Sequence, residues 1–225
     1  MNIKKGKFVS IIGSYGTGKT TLLKMIAGIE PISKGKILID NHLPDYLKNK
    51  KKIGFAFQDS MLFPWNNVMD NLTFPTEING KINFAKANVL LKLVGLYSKK
   101  DSQIHELSGG MQRILAILRA TILDPSVLLL DEPFSSIDEI NRDDLHEKLI
   151  DIHEKNNQTT ILVTHSIHEA VYLSDVIYIL GENPAKVIKT VIPTTPRKID
   201  KKFSTKTMQE VAYIREMMRE VVKNA

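Results

Sequence analysis

Gly13-Ser14-Tyr15-Gly16-Thr17-Gly18-Lys19-Thr20 constrains this chain more than any other stretch. It lies between a β-branched apolar run, Phe8–Ile12, and a helical pattern, Leu22–Ala27, so that strand, glycine loop and helix follow in succession. The spacing G-x-x-x-x-G-K-[ST] is that of a phosphate-binding loop. Backbone N–H groups wrap the phosphates, the helix N-terminus faces them, Lys19 reaches the β/γ oxygens, and Thr20 is placed to ligate Mg²⁺. Gly13, Ser14, Tyr15, Gly16, Thr17, Gly18, Lys19, Thr20 and Thr21 are therefore the expected nucleotide-binding residues.

The remaining pattern suits a nucleotide-binding α/β domain. Lys7–Ile12 predicts a strand, Thr20–Ala27 a helix capped by Gly28, Gly35–Asp40 a second strand and Ile53–Phe57 a third that ends on Gln58. From Ser60 to Ile122 the periodicity turns helical, over Asn66–Leu72, Phe84–Val94 and Gly110–Ile122. Strand and helix then alternate through Val127–Asp131, Glu139–Asn156, Thr159–Thr164, Ile167–Leu173 and Val176–Leu180. Such alternation predicts a mostly parallel sheet with helices on both faces. The tail has one apolar stretch, Val187–Pro193, and a helix with Val211, Ile214, Met218 and Val221 on one face, a stripe that reads as packing. A chain of 225 residues accommodates one such domain with a helical insertion.

Two further motifs carry chemistry. Val127-Leu128-Leu129-Leu130 reads as a buried strand that delivers Asp131 and Glu132 at its C-terminal end, where open α/β sheets place ligands. Beside a phosphate loop this is a Walker B strand, with Asp131 holding Mg²⁺ and Glu132 polarising the attacking water as general base. Leu107-Ser108-Gly109-Gly110-Met111-Gln112 has the same logic as the first loop: small residues clear space and a helix start turns free N–H groups toward an anion.

With two anion cradles in one chain, the sequence resembles the nucleotide-binding subunits of ABC transporters, whose signature is L-S-G-G-x-Q. The resemblance runs from Phe8 to about Leu180. It implies the ABC type of P-loop NTPase fold, a single domain over 1–225, with a core formed by 1–58 and 123–184, a helical subdomain over 59–122 and a tail over 185–225. It also implies a head-to-tail homodimer that sandwiches ATP, so that Ser108, Gly109 and Gly110 close on the partner's γ-phosphate. Gln58 resembles the Q-loop glutamine that contacts Mg²⁺ and the attacking water, Ser136-Ile137-Asp138 the D-loop, and His165 the switch histidine that hydrogen-bonds the γ-phosphate. The implied catalytic set is thus Glu132, His165 and Gln58, the metal set Thr20, Gln58 and Asp131, and the cofactors ATP and Mg²⁺.

Phe57-Gln58-Asp59, Leu62-Phe63-Pro64-Trp65-Asn66-Asn67-Val68 and Asp131–Asp138 are similar to the ATPases of bacterial nitrate, sulfonate, taurine and related importers, as is a Pro193–Arg197 segment before a basic helix. This implies membrane permease subunits as partners, a solute-binding protein indirectly, and a peripheral location on the cytoplasmic face of the cell membrane. Trp65 is either a lining residue of the groove that receives a permease's coupling helix or an ordinary core aromatic.

Four departures stand against that pattern. Family members usually begin some two dozen residues earlier, with two strands and an aromatic A-loop residue that stacks on adenine, whereas Met1 lies just before the loop's strand. Tyr15 stands where a small residue is usual, so its phenol must swing outward or crowd the γ-phosphate. Gln112-Arg113 comes one place early, with Ile114 where Arg normally falls and Arg119 back in line. Ser14 replaces the common Pro.

Composition narrows the alternatives. The formal charge is +6, and much of the excess lies in Lys48–Lys52 and Arg197–Lys206, runs that suit a solvated face, an anionic membrane or nucleic acid. No cysteine is present, which excludes disulfides and thiolate metal sites and fits a reducing cytoplasm. Apolar runs such as Val127–Leu130 are too short to span a bilayer. Beside the importer ATPase stand a non-catalytic subunit that docks on a permease, and a soluble ABC ATPase acting on DNA or ribosomes. The last class usually carries a long coiled coil or tandem nucleotide domains, which this sequence lacks, so no nucleic-acid partner is expected.

Overall fold

Strand β1, Phe8–Gly13, is buried along its whole length and has a strand on either side. The computed structural model describes residues 1–135, 137–181, 185–194 and 204–223, with the side chains of 139–141 and 220–223 excepted. Ser136, the 195–203 part of the tail and the side chain of Val221 thus lie outside the described residues. The chain divides into two compact units, Met1–Tyr46 with Gln158–Ala225, and Leu47–Asn157.

In the first unit β1 pairs in parallel with β4 (Thr159–Val163) and β5 (Val176–Gly181), and β5 pairs antiparallel with β6 (Lys186–Val191). The β5–β6 connection is too short for a crossover, so β6 must return antiparallel. Helix α1, Lys19–Ile26, buries Lys19, Leu23 and Ile26, the i, i+4, i+7 stripe of an amphipathic helix. It ends where Gly28 takes φ 67°, as its composition predicts. Helices α7 (Ile167–Leu173) and α8 (Thr205–Lys223) close a cluster in which Val211 and Ile214 pack on Ile12, Ile177 and Ile179, with Met218 against it. The tail's apolar stripe is packing, as expected for its described residues.

One expected strand is not formed. Gly35–Asp40 makes only an isolated bridge, Ile39 to His42, and Leu38 is 47% exposed. Asp40 and Asn41, at φ 47° and 63°, turn the chain back before any ladder grows, and the run finds no neighbouring strand among the described residues. An apolar run stays a strand only where a partner takes its backbone hydrogen bonds. Helix α2, Pro44–Asn49, follows and carries the boundary between the units.

The second unit holds β2 (Ile53–Ala56) parallel to β3 (Val127–Asp131), with α3 (Val68–Ile78), α4 (Phe84–Leu93), α5 (Gly109–Thr121) and α6 (Glu139–Asn156). Asn67, Asn83 and Ser108 cap α3, α4 and α5, each side chain accepting from a backbone N–H in the first turn. Pro75 does not stop α3 as a proline normally would; the helix continues to Ile78, its buried face carried on by Leu72, Thr73 and Thr76. Helix α5 comes close to β2 at Gly54, where a Cβ would lie 2.2 Å from the Ala120 carbonyl oxygen. The pairing is mostly parallel, with helices packed against it.

Candidate nucleotide site

The first unit builds the predicted phosphate loop between β1 and α1. Gly16 and Gly18 take φ 84° and 80°, left-handed conformations that L side chains rarely adopt, and Gly13 leaves no room for one, since a Cβ would lie 2.8 Å from the Leu180 carbonyl oxygen. Across the loop the Lys19 Nζ donates to the Gly13 and Ser14 carbonyls at 2.9 and 2.7 Å, and Thr17 Oγ1 donates to the Ser14 carbonyl at 2.9 Å. The ammonium, with its side chain 7% exposed, is thus fixed against the loop it serves. Thr20 and Thr21 occupy the first turn of α1. Tyr15 is fully exposed, so its phenol swings outward and does not crowd the loop.

Register places a second residue on the same edge of this unit. β1 and β4 pair up to Ile11 and Val163, and the Thr164 N–H donates to the Ile11 carbonyl at 3.3 Å. His165 therefore leaves the sheet beside the start of the glycine loop and is exposed there. The turn that holds it is tied down on its far side. Ser166 caps α7, and the Thr164 hydroxyl donates to the carboxylate of the buried Glu169. Ser166-x-x-Glu169 reads in sequence as a helix start, but the Thr164 contact has no sequence signal.

The second unit brings three other predicted residues to one edge. β2 and β3 pair from Ile53 with Val127 to Ala56 with Leu130, so Gln58, Asp131 and Glu132 all emerge just past the last paired residues. Asp131 is 3% exposed and Gln58 is exposed. Glu132 takes φ 45°, and its carbonyl accepts from the Ser135 N–H at 3.2 Å and the Ser135 hydroxyl at 2.9 Å, a turn that fixes the carboxylate's backbone.

The same unit carries the second predicted cradle, at the start of α5. The Ser108 hydroxyl accepts from the Met111 N–H at 3.3 Å, and nothing lies within 4 Å of a Cβ built on Gly109. Gln112 turns back to donate to the Ile104 and Leu107 carbonyls at 3.1 and 3.2 Å, which holds the segment before the helix. Ile114 is buried, as an apolar residue should be there. Arg119, further along α5, donates to the Ser60 and Met61 carbonyls at 3.2 and 2.7 Å and covers the Phe63 ring at 5.4 Å. Burial lowers its pKa, and a guanidinium, whose ordinary pKa lies far above neutral, stays charged all the same.

Two anchors escaped the sequence reading. Arg119 enters the sequence pattern only as the Arg that falls back in line, and Asn71 belongs to no motif. Asn71 is fully buried, accepts from the Phe63 N–H at 2.8 Å and donates to the carbonyls of Phe63, Asn66 and Asn67 at 3.0, 3.2 and 3.0 Å. An Asn within a helical stretch gives no hint in sequence that its amide replaces the missing ladder of a loop. Between them Asn71 and Arg119 tie down the loop after Gln58, on which Trp65 stands 74% exposed and so is not a core aromatic. Asn71→Ala is expected to cost about 3 kcal/mol and lower Tm by roughly 6–12 °C, a fall that thermal unfolding followed by circular dichroism measures.

The ABC transporter family model matches residues 1–135, more than half of the chain. The chain belongs to the ABC transporter family. It is an ATPase. The aliphatic sulfonates import ATP-binding protein SsuB of Bacillus cereus is 40% identical over 209 residues, 93% of this chain and 82% of that one. The taurine import ATP-binding protein TauB of Sinorhizobium fredii is 38% identical over 83% of this chain and 70% of its own. Among solved structures, the dimeric ATP-binding cassette MJ0796, in a post-hydrolysis state bound to ADP and Pi, is similar at a TM-score of 0.74 and 29% identity, over 85% of this chain and 88% of that chain. No helix among the described residues is long and apolar enough to cross a membrane.

Proposed function

We propose that this chain is the ATP-hydrolysing subunit of an importer for a small anion or its precursor, of the sulfonate, taurine or nitrate class. The support for the solute class is the similarity to import subunits of that class. The observation that carries the ATPase chemistry is the glycine loop itself, with Gly16 and Gly18 in left-handed conformations, no room for a side chain at Gly13, and the buried Lys19 ammonium across it. Lys19 and the loop N–H groups hold phosphates, Glu132 takes the proton of the attacking water, and His165 hydrogen-bonds the γ-phosphate. Ser108, Gly109 and Gly110 serve a second copy's nucleotide, which makes the working unit a head-to-tail dimer seated on membrane permease subunits at the cytoplasmic face.

In this reading Thr20, Gln58 and Asp131 are the residues that would hold Mg²⁺; each offers an oxygen donor, which suits an ion that keeps waters and phosphate oxygens and uses only one or two carboxylates. Among the described residues no group of three or more His, Cys, Asp or Glu could hold a metal ion; in this reading the ion comes with the nucleotide. When bound, Mg²⁺ would neutralise charge on the phosphate oxygens.

Lys19→Ala is expected to weaken ATP binding about 30–100-fold, since charge-assisted hydrogen bonds to the β/γ oxygens are lost; titration calorimetry reads the change. Solute class is tested in cells whose own sulfonate import ATPase is deleted. Restored growth on an aliphatic sulfonate or taurine as sulfur source supports the reading, and restoration by neither of these, nor of nitrate use in the matching nitrate strain, removes it.

A further inference from the structure

We propose that Glu169 is a positioning residue for hydrolysis: through the Thr164 hydroxyl it fixes the backbone on either side of His165 and so holds the imidazole beside the start of the glycine loop. This rests on the role given to His165 above. Glu169 is a buried acid, 5% exposed, in the first turn of α7, and no step of the proposed chemistry uses it. Its carboxylate accepts from the Thr164 hydroxyl. That hydroxyl accepts in turn from the Ser166 N–H at 3.0 Å, and the Ser166 hydroxyl accepts from the Glu169 N–H at 3.3 Å. The three bonds close a ring around one residue. Both neighbours of His165 are pinned, and His165 stands exposed between them.

A carboxylate taken out of water is costly, and a serine cap alone is enough to start a helix. What the acid adds is direction. An ionised carboxylate only accepts, so the Thr164 hydroxyl must donate to it and turn a lone pair to the Ser166 N–H. The frame to which this ring is tied is firm. Ala170 and Val171, next along α7, are buried in the cluster that holds Ile12 of β1 and Val211 and Ile214 of α8. On the other side the Thr164 N–H donates to the Ile11 carbonyl at 3.3 Å, on the strand that ends at Gly13. The ring thus refers residue 165 to the strand that leads into the phosphate loop. A group that must meet the γ-phosphate needs such a reference, since misplacement by about 1 Å costs on the order of a hundredfold in rate.

ATP hydrolysis per folded molecule and thermal unfolding of the full chain test this with Glu169→Ala, Glu169→Gln, Thr164→Val and His165→Ala, alone and in pairs. Glu169→Ala and Thr164→Val are each expected to lower kcat about tenfold, with the KM for ATP changed by no more than about threefold. Glu169→Gln, whose amide oxygen still accepts from the Thr164 hydroxyl, is expected to stay within about threefold of wild type. The deciding result comes from the pairs with His165→Ala. In that background Glu169→Ala and Thr164→Val are expected to change the rate by no more than about twofold, because residues that act through one side chain are not additive. A merely structural role lowers the rate by the same factor in either background, and that result overturns the proposal. So does a wild-type rate in folded Glu169→Ala, or a Glu169→Gln chain as slow as Glu169→Ala. If Glu169→Ala does not fold, Thr164→Val decides by the same criteria, and failure of both to fold assigns the contact to folding and overturns the proposal. Where His165→Ala lowers the rate and the other variants do not, the role of His165 stands and this proposal falls alone. A His165→Ala chain that hydrolyses ATP at the wild-type rate removes both together.

Discussion

Glu132→Gln is expected to stop turnover while ATP stays bound. A general base contributes about 10²–10⁴ in rate, or roughly 3–5.5 kcal/mol, and a glutamine amide of the same shape cannot accept the proton. The geometry around residue 132 keeps the change local. The backbone there is held at φ 45° by the Ser135 N–H and hydroxyl, both bonded to the carbonyl of residue 132 and not to its side chain. Asp131, buried at the end of β3, is untouched. Single-turnover hydrolysis of radiolabelled ATP should therefore fall at least a hundredfold, with the dissociation constant for ATP changed by no more than about threefold. A variant that keeps wild-type turnover removes Glu132 as the base. One that loses ATP binding along with turnover shows that the carboxylate shapes the site as well as serving its chemistry.

The parts of this molecule that were legible in its sequence are those where one local signal and one burial pattern agree. Val127–Asp131 is a strand of buried aliphatics, and Ile167–Leu173 is a short apolar helix behind a serine cap; both were placed to the residue. The glycine loop was legible because its φ values admit little else. Gly35–Asp40 has a strand's composition but no neighbour to pair with, and sequence does not show whether a neighbour exists. Pro75 has a terminator's composition, yet the buried face of α3 outweighs the one hydrogen bond that proline removes. Arg119 was illegible because its role lies in carbonyls 58 and 59 residues away, and Asn71 because its amide serves a loop four to eight residues before it that its residue type does not announce. Tyr15 was ambiguous between crowding and swinging outward, a rotamer question that only coordinates decide. The two edges were legible as loops that follow strands, and it is the register, β1 with β4 and β2 with β3, that seats His165 beside the glycine loop and Gln58 beside Asp131 and Glu132.

Gly54→Ala is expected to give the largest loss of stability for the smallest change of composition. Position 54 is buried within β2, paired with Leu128 of β3, and no left-handed dihedral calls for glycine there. The requirement is one of space: an added methyl would lie 2.2 Å from the Ala120 carbonyl oxygen, 3.1 Å from that residue's carbonyl carbon and 3.1 Å from Pro125 Cγ. Since the nearest atoms belong to the backbone of α5, no rotamer change relieves the clash and the helix itself must move. Overpacking of this kind costs about 1–3 kcal/mol where side chains can give way, and more where backbone must shift, so a loss of roughly 3–5 kcal/mol and a fall in Tm of about 6–20 °C are expected. The consequence reaches function because α5 begins at Ser108 and Gly109 and carries Arg119 to the loop after Gln58. A helix pushed off β2 moves the second cradle and that loop together. Residual folded Gly54→Ala protein should therefore lose ATPase activity beyond what its folded fraction explains, while ATP binding at the glycine loop, built in the other unit, holds. Thermal melts followed by activity per folded molecule separate the two effects. An unshifted Tm would mean that α5 does not press on β2 as the structure places it.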